Sequence, residues 1–145
     1  MQGLAHNYAV TAAGAPDGDV ALSADGVATL PSAPPVEFGG PGGRWSPESL
    51  LVASVADCFV LTFRGIARAS QLPWTSLECA VDGTLDRADG STKFTAFKLH
   101  ARLVTPQGVD AVKATRCLEK AEASCLIINS LSAQTHLTTE VAVAP

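Results

Sequence analysis

The stretch that decides the fold is Ser46-Pro47-Glu48-Ser49-Leu50-Leu51-Val52-Ala53-Ser54-Val55-Ala56-Asp57-Cys58-Phe59. Its start is marked by three residues. Ser46 can cap a helix, Pro47 fits the first helical position, and Glu48 suits the positive end of the helix dipole. No proline or glycine follows until Gly65, so the sequence predicts a helix from Pro47 to about Ser70. Apolar and small residues occupy almost every side of it between Leu50 and Leu61, as in a helix buried on most faces. One sheet can cover only one face, so the rest calls for another helix or another subunit. Cys58 lies deep in this helix. A second cysteine, Cys125, follows the Ala/Glu-rich run Ala121-Glu122-Ala123-Ser124 and precedes Leu126-Ile127-Ile128.

Around that helix the pattern is α+β. Residues 6–30 read as short strands: His6 to Thr11, then Val20 to Ser23 and Val27 to Leu30 about Asp25-Gly26, a pair suited to a type I′ turn. Pro31 to Gly43 holds four prolines and four glycines and reads as an irregular loop. Leu77, Cys79, Val81 and Leu85 alternate with polar or small residues, and so do Phe97, Leu99, Ala101 and Leu103. Asp89-Gly90 lies between them as a hairpin turn. A second helix is expected from about Val109 to Ala123, with Ala111, Ala114, Leu118, Ala121 and Cys125 on one stripe. A last strand is expected from His136 to Val143. The 145 residues suit one domain, residues 1–145.

A net charge of −4 and the absence of a basic stripe argue against a nucleic-acid partner. The chain has no uninterrupted run of 18 apolar residues, so no transmembrane helix is expected. Residues 1–6 do not resemble a signal peptide, which points to a reducing cytoplasm. The cysteine spacings of 21, 38 and 8 residues hold no metal-binding cluster, and no metal or cofactor is expected. Cys79 reads as core filler and Cys117 as a peripheral thiol. His6, His100 and His136 read as solvent-face residues, which leaves a cysteine hydrolase unsupported.

The run Gly42-Gly43-Arg44-Trp45 followed by Ser46 to Phe59, together with Ala121 to Cys125, resembles the OsmC/organic hydroperoxide resistance family. The resemblance covers essentially the full length. It implies an α+β fold, with antiparallel sheets around a long central helix plus a second helix. It also implies an intertwined homodimer with composite active sites. By the same resemblance Cys58 is the peroxidatic and Cys125 the resolving cysteine of an organic hydroperoxide reductase. Glu48 positions an arginine, and a dithiol, often lipoyl-type, regenerates the enzyme. The family's N-terminal loop arginine has no counterpart in Gly14-Ala15-Pro16-Asp17-Gly18, so Arg44 is the candidate cation, ahead of Arg64 and Arg68. The proline that often follows the second cysteine is Leu126 here.

Burial raises a thiol's pKa and a mid-helix position gives little help from the dipole, so the sequence predicts a cation beside Cys58. Glu48 lies ten residues from Cys58, about 15 Å along a helix, so it cannot easily act at its own Cys58. Two antiparallel copies of the helix, crossing near their middles, would bring Glu48 of one chain toward Cys58 of the other. Two other functions fit the same residues. One is a non-catalytic module that holds a small hydrophobic ligand at the dimer interface. The other is a redox sensor that oxidises without turning over.

Overall fold

The computed structural model describes residues 3–145. Its backbone packing forms two compact units, one up to Leu50 and one from Leu51 onward.

The first unit is a small antiparallel sheet of β1 (Thr11–Ala13), β2 (Val20–Ser23) and β3 (Leu30–Ser32), in that order. Only the middle candidate strand lies where the sequence places it. His6–Val10 is not strand, and the third strand starts at Leu30 rather than Val27. The turn between β2 and β3 is not type I′. Gly26 has φ 76° but Asp25 is not in the left-handed region, whereas a type I′ turn needs both residues there. The Pro/Gly-rich stretch is an irregular loop with a 3-10 turn at Val36–Phe38, as expected. It returns to pair Ser32 with Trp45, and the Ala33 N–H donates to Trp45 O at 3.0 Å. Gly40 lies so close against the Pro34 carbonyl that a Cβ would have no room.

Helix α1 runs Pro47–Ala69. Its cap is reciprocal: the Ser49 N–H donates to Ser46 Oγ at 3.1 Å, and the Ser46 N–H donates to Ser49 Oγ at 2.9 Å. Two of the N–H groups that a helix start leaves without partners are thereby used. By length and composition α1 could cross a membrane. It nevertheless lays Val55, Phe59, Phe63 and Ala67 into a packed core, one residue per turn. Only 22% of its most apolar 18-residue window is fully buried; most of its other apolar residues are half-buried, and Leu61 is exposed.

The second unit holds the core. Strands β4 (Ser76–Ala88) and β5 (Ser91–Thr105) form a hairpin whose two turn residues, Asp89 (φ 52°) and Gly90 (φ 78°), are both left-handed. That is the type I′ geometry the Asp-Gly pair favours. Helix α2 (Ala111–Ser124) starts at Asp110, whose side chain accepts from the Val112 N–H. A short α3 (Leu126–Asn129) follows, and then β6 (Gln134–Val143). The sheet order is β4-β5-β6, with β5 and β6 parallel. An all-antiparallel sheet is therefore not what forms. A parallel pair needs a long crossover, and α2 with α3 is that crossover. Phe97, Leu99, Ala101 and Leu103 alternate along β5 into one buried cluster with Ala114, Leu118 and Ala121 of α2, and Thr105 continues the buried face of the strand. Cys117 is 5% exposed and belongs to this cluster, so it is core rather than peripheral. Its stripe mates Ala114 and Ala121 are buried, and they carry it inward. On β4, a Cβ at Gly83 would lie 2.8 Å from Val52 Cγ2, so glycine is what admits α1 this close to the sheet.

Candidate active site, a thiol pair at the α2–α3 break

Cys58 follows Val55 by nearly one turn and directly precedes Phe59, both fully buried. Its side chain is therefore at the margin of the core, half-buried rather than enclosed. Cys125 is fully buried. It ends α2 and starts α3 with an extended backbone (φ −67°, ψ 112°) that interrupts the helix.

That interruption supplies the chemistry. The Cys125 N–H donates back to Glu122 O, and the next intrahelical bond is Asn129 N–H to Cys125 O. The N–H groups of Leu126, Ile127 and Ile128 open α3 and have no carbonyl one turn behind them. They act on sulfur instead: those of Leu126 and Ile127 lower the Cys58 thiol, and those of Ile127 and Ile128 pull the same way on Cys125. Cys125 lowers Cys58 as well, and Thr62 Oγ1 lies 3.7 Å from Cys58 Sγ.

The two thiols are pushed opposite ways. Burial raises Cys58, but the Ile127 N–H, the Cys125 thiol, the Thr62 hydroxyl and the Leu126 N–H outweigh it, so Cys58 falls below the ordinary cysteine value. Burial also raises Cys125. Its hydrogen bond to Cys58 and the charge there add to the rise, and the Ile128 and Ile127 N–H groups do not offset them. Cys58 is thus the thiol that ionises and Cys125 the one that keeps its proton. A cation was the expected agent; neutral donors perform this shift.

The other candidates stand as follows. Glu48, in the first turn of α1, lines a cavity of about 410 Å³ in the first unit with Val20, Leu22, Pro35, Phe38 and Leu50. One carboxylate oxygen, Oε2, is buried there without a hydrogen-bond partner. Arg44 is paired with Asp19, Nε to Oδ2 at 2.9 Å, rather than with Glu48. Cys79 packs against the core as expected, and burial, with the charge of Cys125, pushes its thiol up to about 11. His100 and His136 are exposed on the outer face of the sheet, and His100 Nδ1 lies 2.8 Å from Thr138 Oγ1. Among the described residues no cluster of His, Cys, Asp or Glu is placed to hold a metal ion. Sequence reasoning missed Thr62 and the three amides. Thr62 had a signal, a hydroxyl one helical turn after Cys58. The amides had none, because a backbone N–H has no letter of its own.

The model of the OsmC-like protein family matches residues 40–140, which include both cysteines. This chain belongs to the OsmC-like family. It is similar to the uncharacterized protein YmaD of Bacillus subtilis, 24% identical over 112 residues, or 75% of each chain. The protein named peroxiredoxin OsmC of Escherichia coli is 28% identical over 92 residues, 63% of this chain and 64% of that one. A crystal structure described as an organic hydroperoxide resistance protein OsmC, from Legionella pneumophila, has TM-score 0.75 and 25% identity, covering 97% of this chain and 99% of that one. An OsmC-like protein from Vibrio cholerae shares the fold at TM-score 0.83 and 17% identity, covering 94% of this chain and 99% of that one. The α+β architecture is thus an OsmC-like one.

Proposed function

We propose that the chain is a thiol peroxidase that reduces organic hydroperoxides with Cys58 and Cys125. The observation that carries this reading is the asymmetry of the pair, a more accessible thiol held below its ordinary pKa against a buried one held above it. The names of the Escherichia coli and Legionella relatives, peroxiredoxin and organic hydroperoxide resistance protein, support it.

The chemistry follows from the two protonation states. The Cys58 thiolate attacks the outer peroxide oxygen and the O–O bond breaks. The alkoxide leaves, takes a proton and departs as the alcohol, and Cys58 becomes a sulfenic acid. Cys125 then attacks the Cys58 sulfur. The S–S bond forms, and the departing hydroxide takes the Cys125 proton to give water. A dithiol, of lipoyl type in this reading, reduces the disulfide and becomes a disulfide itself.

The apolar surface that α1 leaves only partly covered, Leu61 above all, supports a homodimer as the working form, with Glu48 of one copy serving the site of the other. Glu48 has an unpaired buried carboxylate oxygen, which fits a role in holding a guanidinium. Arg44 is the candidate for that guanidinium, and it must exchange Asp19 for Glu48 to act. We place the protein in the cytoplasm, where a thiol catalyst is kept reduced.

The test is stoichiometric. Anaerobic protein given one equivalent of cumene hydroperoxide is expected to lose two of its four thiols and gain a Cys58–Cys125 bond by mass spectrometry. Thiols unchanged by that treatment refute the reading.

A further inference from the structure

Thr62 departs from the habit of several hydroxyls in and at the ends of the helices of this chain. Ser54 Oγ donates to Leu51 O at 2.6 Å, Thr115 Oγ1 to Ala111 O at 2.9 Å, and Ser130 Oγ to Leu126 O at 2.7 Å. Such bonds to the preceding turn are where a Ser or Thr inside a helix usually turns. The equivalent acceptor for Thr62 is the carbonyl of Cys58. Thr62 Oγ1 lies instead 3.7 Å from the Cys58 sulfur, within reach of a hydrogen bond to a large, polarisable acceptor. Thr62 is half-buried, so the contact is partly shielded from water.

We propose that Thr62 is a catalytic residue, the side-chain donor of a neutral cradle, completed by the Leu126 and Ile127 N–H groups, that carries the charge of Cys58 in place of a cation. Hydrogen bonds to an ionised acceptor are about twice as strong as neutral ones, and stronger still where water is thin. These three donors, together with the Cys125 thiol, can therefore outweigh the burial of a thiol that is only half enclosed. The direction of the Cys58 shift agrees with this. The titratable group that acts on Cys58 is Cys125, across the α2–α3 break. None of the leading influences on Cys58 comes from a carboxylate, an ammonium or a guanidinium.

The role assigned to Thr62 rests on the thiol-peroxidase reading, but its test uses no peroxide, so the two can fail separately. The measurement is the pH dependence of Cys58 alkylation by iodoacetamide, read at that residue by mass spectrometry. Thr62→Val keeps the shape and removes the donor. Its midpoint is expected about one pH unit higher, with alkylation near pH 7 slowed by up to about tenfold. Thr62→Ser is expected to restore the parent profile. A Thr62→Val profile that superimposes on the parent overturns the proposal. So does a parent profile that moves upward when salt is raised from about 0.05 to 1 M, because screening acts on an exposed cation and not on neutral donors. The salt arm needs no variant and holds even if a substitution disturbs folding.

Discussion

Two regions of this molecule each bring an acidic group into apolar surroundings, and they treat it differently. In the second unit the Cys58 sulfur meets two backbone N–H groups, a hydroxyl and a thiol from its own chain. In the first unit the Glu48 carboxylate faces an apolar cavity with one oxygen buried and unpaired. A buried polar atom without a partner is costly, whereas a satisfied one is not. The thiol site therefore completes its electrostatics within one chain, and the carboxylate awaits a donor. The lesson is that ionising the nucleophile and placing a cation are separable tasks here.

That separation can be attacked by substitution, most strongly at Cys58. Cys58→Ser is expected to reduce peroxide consumption to the rate of a protein-free mixture. Cys125→Ser is expected to consume one equivalent and stop at a sulfenic acid that a dimedone probe captures. Sustained turnover by either variant with a dithiol would break the assignment.

Cys79 tests whether the floor of the thiol region is as dry as its packing indicates. Its thiol sits at about 11 in the folded chain, above its ordinary value of 9.0. A raised pKa favours the neutral form in the native state. The associated stability is full below pH 9 and is lost as pH rises through 11, about 1 kcal/mol once the partial exposure of the thiol is discounted. Urea midpoints should fall over that window in the parent and much less in Cys79→Ala.

Glu48→Gln addresses the other region. It is expected to slow peroxide turnover by about tenfold, the order of one lost charge-assisted hydrogen bond, and to leave the Cys58 alkylation profile in place. A profile that moved with turnover would merge the two tasks. The smallest change is Leu126→Pro. Cys125 already has the extended backbone that a residue before proline requires, and Leu126 is the first residue of α3, where a proline ring is tolerated. The substitution deletes one N–H at Cys58 and little else. Alkylation near pH 7 should slow by a few-fold.

How much of this was legible in the sequence depended on how local the cause is. Ser46-Pro47-Glu48 announced α1 because capping acts within one turn, and Asp89-Gly90 announced its hairpin because both residues accept a left-handed backbone. The pairing of β5 with β6 was not legible as parallel, since that choice depends on where the α2–α3 crossover docks. Cys117 misled because Lys113 and Lys120, a turn away on either side, lie at the exposed edge of a face whose centre, Ala114 and Ala121, is buried. Both cysteines of the candidate site could be named from the sequence. What charges Cys58 could not, because half of the donors are main-chain groups freed by the dihedral angles of Cys125.

The parallel register of β5 and β6 has a last implication. To run alongside β5, the chain must travel the length of the sheet and return, and residues 106–133 make that journey. Cys125 rides on the journey rather than on the frame. What holds the partner sulfur at Cys58 is the buried face of α2, Ala114, Leu118 and Ala121, and not a strand pairing. A cavity cut into that face would therefore reach the thiol pair while leaving the sheet's register in place.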